Sequence, residues 1–184
     1  MAGLGLWAGG LLLALLVWAL GLGLLWEYWG LVARITPNAG ERLVWMAGGV
    51  VYIGGACFCL LLCPPELRWL AILVVIATDT GAYFAGRRFG GAKIAPAISP
   101  SKTWAGLYGG MVYAMLVMLA AVVKSKSALM AGPNPILQVF HDYPLTLAMM
   151  MLAGAALAVL AQTGDFFESW MKRRAGVKDS GALI

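Results

Sequence analysis

From Ala2 to Trp26 the chain carries no charged residue and no Ser, Thr, Asn or Gln. Few folds accept such a run. A bilayer core about 30 Å thick needs roughly 20 helical residues to cross it, so this stretch is read as a membrane span. A signal peptide would need a basic start and a shorter apolar stretch. Four more apolar runs follow: Leu43–Cys63, Trp69–Gly86, Trp104–Val123 and Leu145–Ala161, the last expected to continue as helix through Arg174. In lipid, backbone groups must be satisfied within the chain, which leaves helices or closed barrels. Barrel strands alternate apolar and polar residues, and these runs do not. The expected fold is all-α: a single membrane-embedded domain over 1–184 with about five transmembrane helices in a bundle.

Composition agrees. The chain is 62% hydrophobic and 11% charged, whereas soluble domains carry about 25% charged residues. Between the spans, Glu27–Arg42 is expected to be a loop, with Trp26, Tyr28 and Trp29 as an interfacial belt. Pro64-Pro65-Glu66 should break the helix, and Lys124–Pro144 should be a polar loop. Cys57, Cys59 and Cys63 have no acid or histidine close in sequence and are read as small apolar residues of a helix. His141 is assigned no role. Met149, Met150 and Met151 read as lipid-facing or core filler.

Lys and Arg divide unevenly. Arg34, Arg42, Arg87, Arg88, Lys93, Lys102, Lys172, Arg173, Arg174 and Lys178 fall on one side. Arg68, Lys124 and Lys126 fall on the other. The positive-inside rule puts the ten in the cytoplasm and the N-terminus outside. The bases flank apolar spans and form no stripe, which argues against nucleic-acid binding.

Three stretches can carry chemistry. Asp79, flanked by Thr78 and Thr80, interrupts the third run about seven residues before its cytoplasmic end. An acid at that depth costs about 2.5–3.5 kcal/mol on insertion scales and calls for a partner, a water-filled cavity or a metal. Thr78, Thr80 and Gly81 are expected to form a polar notch facing the bundle. The next loop holds Arg87, Arg88, Lys93 and Lys102, with Ser99, Ser101 and Thr103 as hydroxyl donors. Its Ser-Pro-Ser-Lys-Thr end also offers helix caps and free N–H groups for an anion. In the last stretch, Asp165, Glu168, Ser169 and Lys172 share one helical face. Gly176 then permits a turn into Lys178-Asp179-Ser180-Gly181. Carboxylates suit magnesium, and cations suit phosphate. Gly106 and Gly110, like Gly86 and Gly90, are spaced for close helix packing. No Walker motif is present.

The residues Ser169, Met171, Lys172, Arg173, Lys178, Asp179, Gly181 and Ile184 keep the spacing S-x-apolar-K-R, K-D-x-small, apolar. This pattern resembles the signature of the phosphatidate cytidylyltransferases. A second match, from Asp79 through Gly90, Lys93, Pro96, Ser99-Pro100 and Lys102-Thr103-Trp104, resembles the same family about 75 residues earlier. Ala105 stands where the family usually has Glu. The family pattern continues into P-x-H-G-G and D-R-x-D, which do not occur before Ile184. The 184-residue chain is therefore expected to insert and fold as a helical bundle but to show no measurable cytidylyltransferase activity, with turnover restored by appending that segment and its following helix.

The resemblance implies cytidylyl transfer from CTP to phosphatidic acid, giving CDP-diacylglycerol and pyrophosphate with Mg²⁺ as cofactor. CTP, phosphatidic acid and membrane lipid are then the partners, and a homodimer is compatible. The site would lie on the cytoplasmic side of a bacterial-type inner membrane. Catalysis would fall to Asp179, Lys178, Asp79 and Ser169. Arg87, Lys93, Ser99, Ser101, Lys102, Lys172 and Arg173 would bind substrate, and Asp179, Asp165 and Glu168 the metal. Two rival readings stay open: a transporter subunit using Asp79 as an ion or proton site, and an inactive member of the family.

Overall fold

The computed structural model describes residues 10–130 and 134–177. They form six helices: α1 (Gly10–Ile35), α2 (Ala39–Leu62), α3 (Pro65–Phe89), α4 (Trp104–Ser127), α5 (Pro135–Asp142) and α6 (Pro144–Arg174). All but α5 are long and apolar enough to cross a membrane. The protein is an all-α, polytopic integral membrane protein, as its apolar runs require.

Several boundaries differ from the sequence expectation, for local reasons. Glu27–Arg42 is no loop. α1 continues to Ile35 and α2 starts at Ala39. Three hydrogen bonds brace this tight turn. Asn38 caps α2 by accepting from Gly40 N at 3.0 Å, and the Arg42 guanidinium donates to the carbonyls of Thr36 (2.8 Å) and Ala33 (3.2 Å) at the end of α1. Satisfying those end carbonyls extends the helix through polar residues. The proline pair breaks the helix for only two residues, because Pro65 becomes the first residue of α3, a position that lacks an N–H partner anyway. Thr78-Asp79-Thr80 does not interrupt α3; the Thr78 hydroxyl donates to Val74 O at 2.8 Å within the helix. The expected Lys124–Pro144 loop contains α5.

The chain divides into two compact units: residues up to Arg68 together with those from Glu168 onward, and Trp69–Phe167. In the first, α1 and α2 pack through Leu13, Val17 and Cys57. Gly21 admits the Cys57 thiol, which would stand 2.7 Å from an added Cβ. A further cluster joins Leu31, Val32 and Met171 with Tyr28, Trp45, Trp170 and Val177. The end of α6 closes as a Schellman motif: Gly176, at φ 69°, donates to Arg173 O at 3.1 Å and Val177 to Lys172 O at 3.0 Å. Its apolar residue, Val177, lands in that cluster.

In the second unit, Val74 of α3, Ala114 and Met118 of α4 and Ala158 of α6 form the core, with Met150 packed against it. Small residues bring the backbones together. A Cβ on Gly81 would sit 2.5 Å from Gly109 O, one on Gly110 2.9 Å from Thr78 O, and one on Gly154 2.9 Å from Ala114 O. Lipid offers no hydrophobic drive for helix association, so such close approach is what membrane bundles use. Gly106 and Gly86 share a contact of this kind. Gly90 does not: it has open space around it and φ 59°, and serves to turn the chain out of α3.

Candidate active site

A cavity of about 510 Å³ opens in the second unit, lined among others by Asp79, Tyr83, Arg87, Lys102, Gln162 and Asp165. Its construction follows from helical periodicity. Asp79, Ala82, Tyr83 and Gly86 recur at i, i+3, i+4 and i+7 on α3, and Gln162 and Asp165 at i and i+3 on α6, so each helix presents one stripe. Ala82, Gly86 and Gly106 contribute almost no side chain and leave the space open.

The third wall comes from the loop between α3 and α4. Gly90 and Gly91 adopt positive φ and reverse the chain. Ile94 N then donates to Lys102 O (3.2 Å) and Trp104 N to Ala92 O (3.1 Å), a single antiparallel bridge at Lys93 and Thr103. Thr103 caps α4 by accepting from Gly106 N at 3.1 Å. Pinned on both sides, Ser101-Lys102-Thr103 line the cavity. The Ser-Pro-Ser-Lys-Thr stretch thus supplies the cap its composition suggested.

Two acids and two bases share this space. Lys102 Nζ donates to Asp165 Oδ2 at 2.5 Å. Arg87 Nη1 donates to the Tyr83 hydroxyl oxygen at 2.6 Å, its guanidinium carbon 5.8 Å from the ring centroid. Asp79 is exposed along the cavity, not packed in the bundle. It lies ten residues before the end of α3 at Phe89, because the helix outlasts by three residues the apolar run expected to end at Gly86. Of the expected notch, Thr78 and Gly81 are buried and Thr80 is half-buried.

Of the other candidates, Lys93 is exposed and Ser99 is buried; neither lines the cavity. Ser99 instead accepts Lys102 N at 3.4 Å through its carbonyl. Glu168, Ser169, Lys172 and Arg173 fall in the first unit. There Glu168 and Lys172 pair at 2.6 Å, one helical turn apart. Lys178 and Asp179 lie outside the described residues. Among the described residues, no three His, Cys, Asp or Glu side chains gather into a metal-binding group.

Tyr83 and Gln162 were not singled out for the site from the sequence. Gln162 is 3% exposed, and its Oε1 is buried without a hydrogen-bond partner. Its signal was available, as the first polar residue after the apolar run ending at Ala161.

Comparison with known proteins places this chain in a family. The phosphatidate cytidylyltransferase of Staphylococcus epidermidis is 38% identical over 120 residues, covering 64% of this chain and 40% of that protein. That of Haemophilus influenzae is 35% identical over 112 residues (61% and 35%), and that of Brucella suis 37% over 146 residues (76% and 48%). The chain thus spans less than half the length of each of these relatives. No solved structure matches it. The match to the Cytidylyltransferase family runs over residues 65–184, which takes in α3, the bridged loop, α4 and α6, every element that lines the cavity; the chain belongs to that family.

Proposed function

We propose that this chain forms part of an enzyme that transfers the cytidylyl group of CTP to phosphatidic acid, releasing pyrophosphate. The observation that carries the reading is the pairing of cations and carboxylates in one cavity on membrane-spanning helices. A lipid phosphate oxygen would form the new bond to the α-phosphorus of CTP as the bond to the β-phosphate oxygen breaks. Such a displacement asks a protein for positioning and charge stabilisation more than for covalent chemistry. Lys102 and Arg87 would hold phosphate oxygens, with Ser101 donating a hydrogen bond. Asp79, on the deeper part of the α3 stripe, would face the lipid substrate's side of the cavity.

Magnesium fits this donor set. The ion typically takes one or two carboxylates and completes its octahedron with water and substrate phosphates. Asp79 and Asp165 line the same cavity, which suits an ion that arrives with a triphosphate. When bound, it would neutralise charge building up on the phosphates. Lys102 would meanwhile turn from Asp165 to phosphate.

The basic loop at the cavity end supports a cytoplasmic site in a bacterial inner membrane. A cysteine at Ala92, in a background without native cysteines, should be shielded from an impermeant thiol reagent in intact cells, and one at Asn134 labelled. The reverse pattern would remove the cavity from CTP. The activity itself is tested by conversion of labelled CTP to CDP-diacylglycerol with magnesium and phosphatidic acid, using the chain extended by the family's P-x-H-G-G and D-R-x-D segments. Asp79→Asn should lower turnover at least tenfold with membrane insertion intact. Unchanged turnover would take Asp79 out of the site.

A further inference from the structure

α5 lies far from the cavity along the second unit. α4 begins at the cavity, which Gly106 in its first turn lines, and its 24 residues at 1.5 Å each carry the chain about 36 Å away. α5 joins the end of α4 to the start of α6. Since both are spanning helices, this connection sits where the bilayer meets water.

Its eight residues sort into three sectors on a helical wheel. Val139 is fully buried, and α5 packs against α4. Ile136, Leu137 and Phe140 are 55%, 67% and 47% exposed and make one apolar face. His141 and Asp142 are exposed on the remaining side and contact each other at 2.9 Å. Leu145, at the start of α6, adds another exposed apolar side chain. Lys126 reaches back so that its ammonium stands 4.8 Å from the centroid of the Tyr143 ring, and Lys124 is exposed beside it. Lysine and tyrosine are side chains that place an apolar stem in the acyl region and a polar tip among headgroups.

We infer that α5 is an interfacial helix whose Ile136–Leu137–Phe140 face is seated in the acyl–headgroup boundary of the leaflet opposite the cavity. The occupant of this face is phospholipid. Three features favour lipid: α5 joins two membrane-spanning helices, the cationic Lys124 and Lys126 stand in the last turn of the helix that leads into it, and the exposed polar pair His141 and Asp142 falls off its apolar face. A helix of this kind sinks about 5–10 Å into the boundary and lies in its plane. It would fix the level at which α4 and α6 leave the membrane.

The test uses the full chain with Cys57, Cys59 and Cys63 replaced by Ala. Single spin labels are placed at 136, 137, 140, 141 or 142, all exposed positions. Circular dichroism checks helix content. Each variant is reconstituted in phosphatidylethanolamine–phosphatidylglycerol liposomes. Accessibility to oxygen and to a water-soluble nickel chelate is read by power saturation. Labels at 136, 137 and 140 should favour oxygen several-fold over the chelate, and labels at 141 and 142 the reverse. Chelate access at all five positions would show α5 riding in water and overturn the inference. Exclusion of both reagents at 136, 137 and 140 would also overturn it, by showing protein, a second copy or another part of a longer chain, in place of lipid.

Discussion

Lys102 and Asp165 meet at 2.5 Å although 63 positions separate them in sequence. The contact ties the bridged loop to α6 across the cavity. Lys102 is 27% exposed and Asp165 46%, so solvent screens the pair and its share of stability is about 0.2–1 kcal/mol. Under the proposed function the lysine would leave the carboxylate for a phosphate, a role that such a small share of stability leaves room for.

Lys102→Met and Asp165→Asn should each lower turnover of the extended chain at least tenfold while moving the unfolding free energy by less than about 1 kcal/mol. The double variant should be little worse than either single one, since both remove the same arrangement. Thermal melts in detergent beside the CTP assay separate the two effects. A large stability loss with proportionate activity loss would make the pair a strut.

Gln162 carries a buried carbonyl oxygen without a partner. Leaving such a group unsatisfied costs about 1–3 kcal/mol. A chain that keeps it beside a cavity is trading stability for an available acceptor. Gln162→Leu, close in volume, should raise the melting temperature by a few degrees and weaken CTP or lipid binding measured by calorimetry. A lower melting temperature would mean that Gln162 is satisfied in the folded protein and acts as a structural residue.

Gly81 is where α3 and α4 touch. An added Cβ would stand 2.5 Å from Gly109 O and 2.8 Å from the Tyr113 ring, and backbone cannot yield cheaply. Gly81→Ala should therefore cost about 1–3 kcal/mol. Gly55→Ala, in α2 with nothing within 4 Å, should be neutral or gain up to about 1 kcal/mol from helix propensity. Equal effects in denaturant or thermal unfolding would discount the close approach.

Gly176 holds φ 69° as the glycine of the Schellman motif. A β-branched side chain there costs about 1–2 kcal/mol. Gly176→Val should release Val177 from its cluster with Leu31, Val32 and Met171 and speed hydrogen exchange at positions 176 and 177. Unchanged exchange would show the turn to be held by other contacts.

The five spanning helices were legible in the chain because lipid enforces them: a long run without polar side chains has one stable solution across a bilayer. Asp79, Arg87, Ser101, Lys102 and Asp165 were legible as chemistry, since acids, bases and hydroxyls are scarce in such a sequence and each marks itself. The tight α1–α2 turn was hidden, because it depends on where the Arg42 guanidinium reaches, a matter of geometry that residue types do not encode. The pairing of Lys102 with Asp165 was hidden for the same reason; helical periodicity places Asp165 on a stripe but says nothing of a loop that Gly90 and Gly91 turn back toward it. Gln162 passed unnoticed because its importance is a missing hydrogen bond, and only packing in three dimensions can leave a polar atom without a partner.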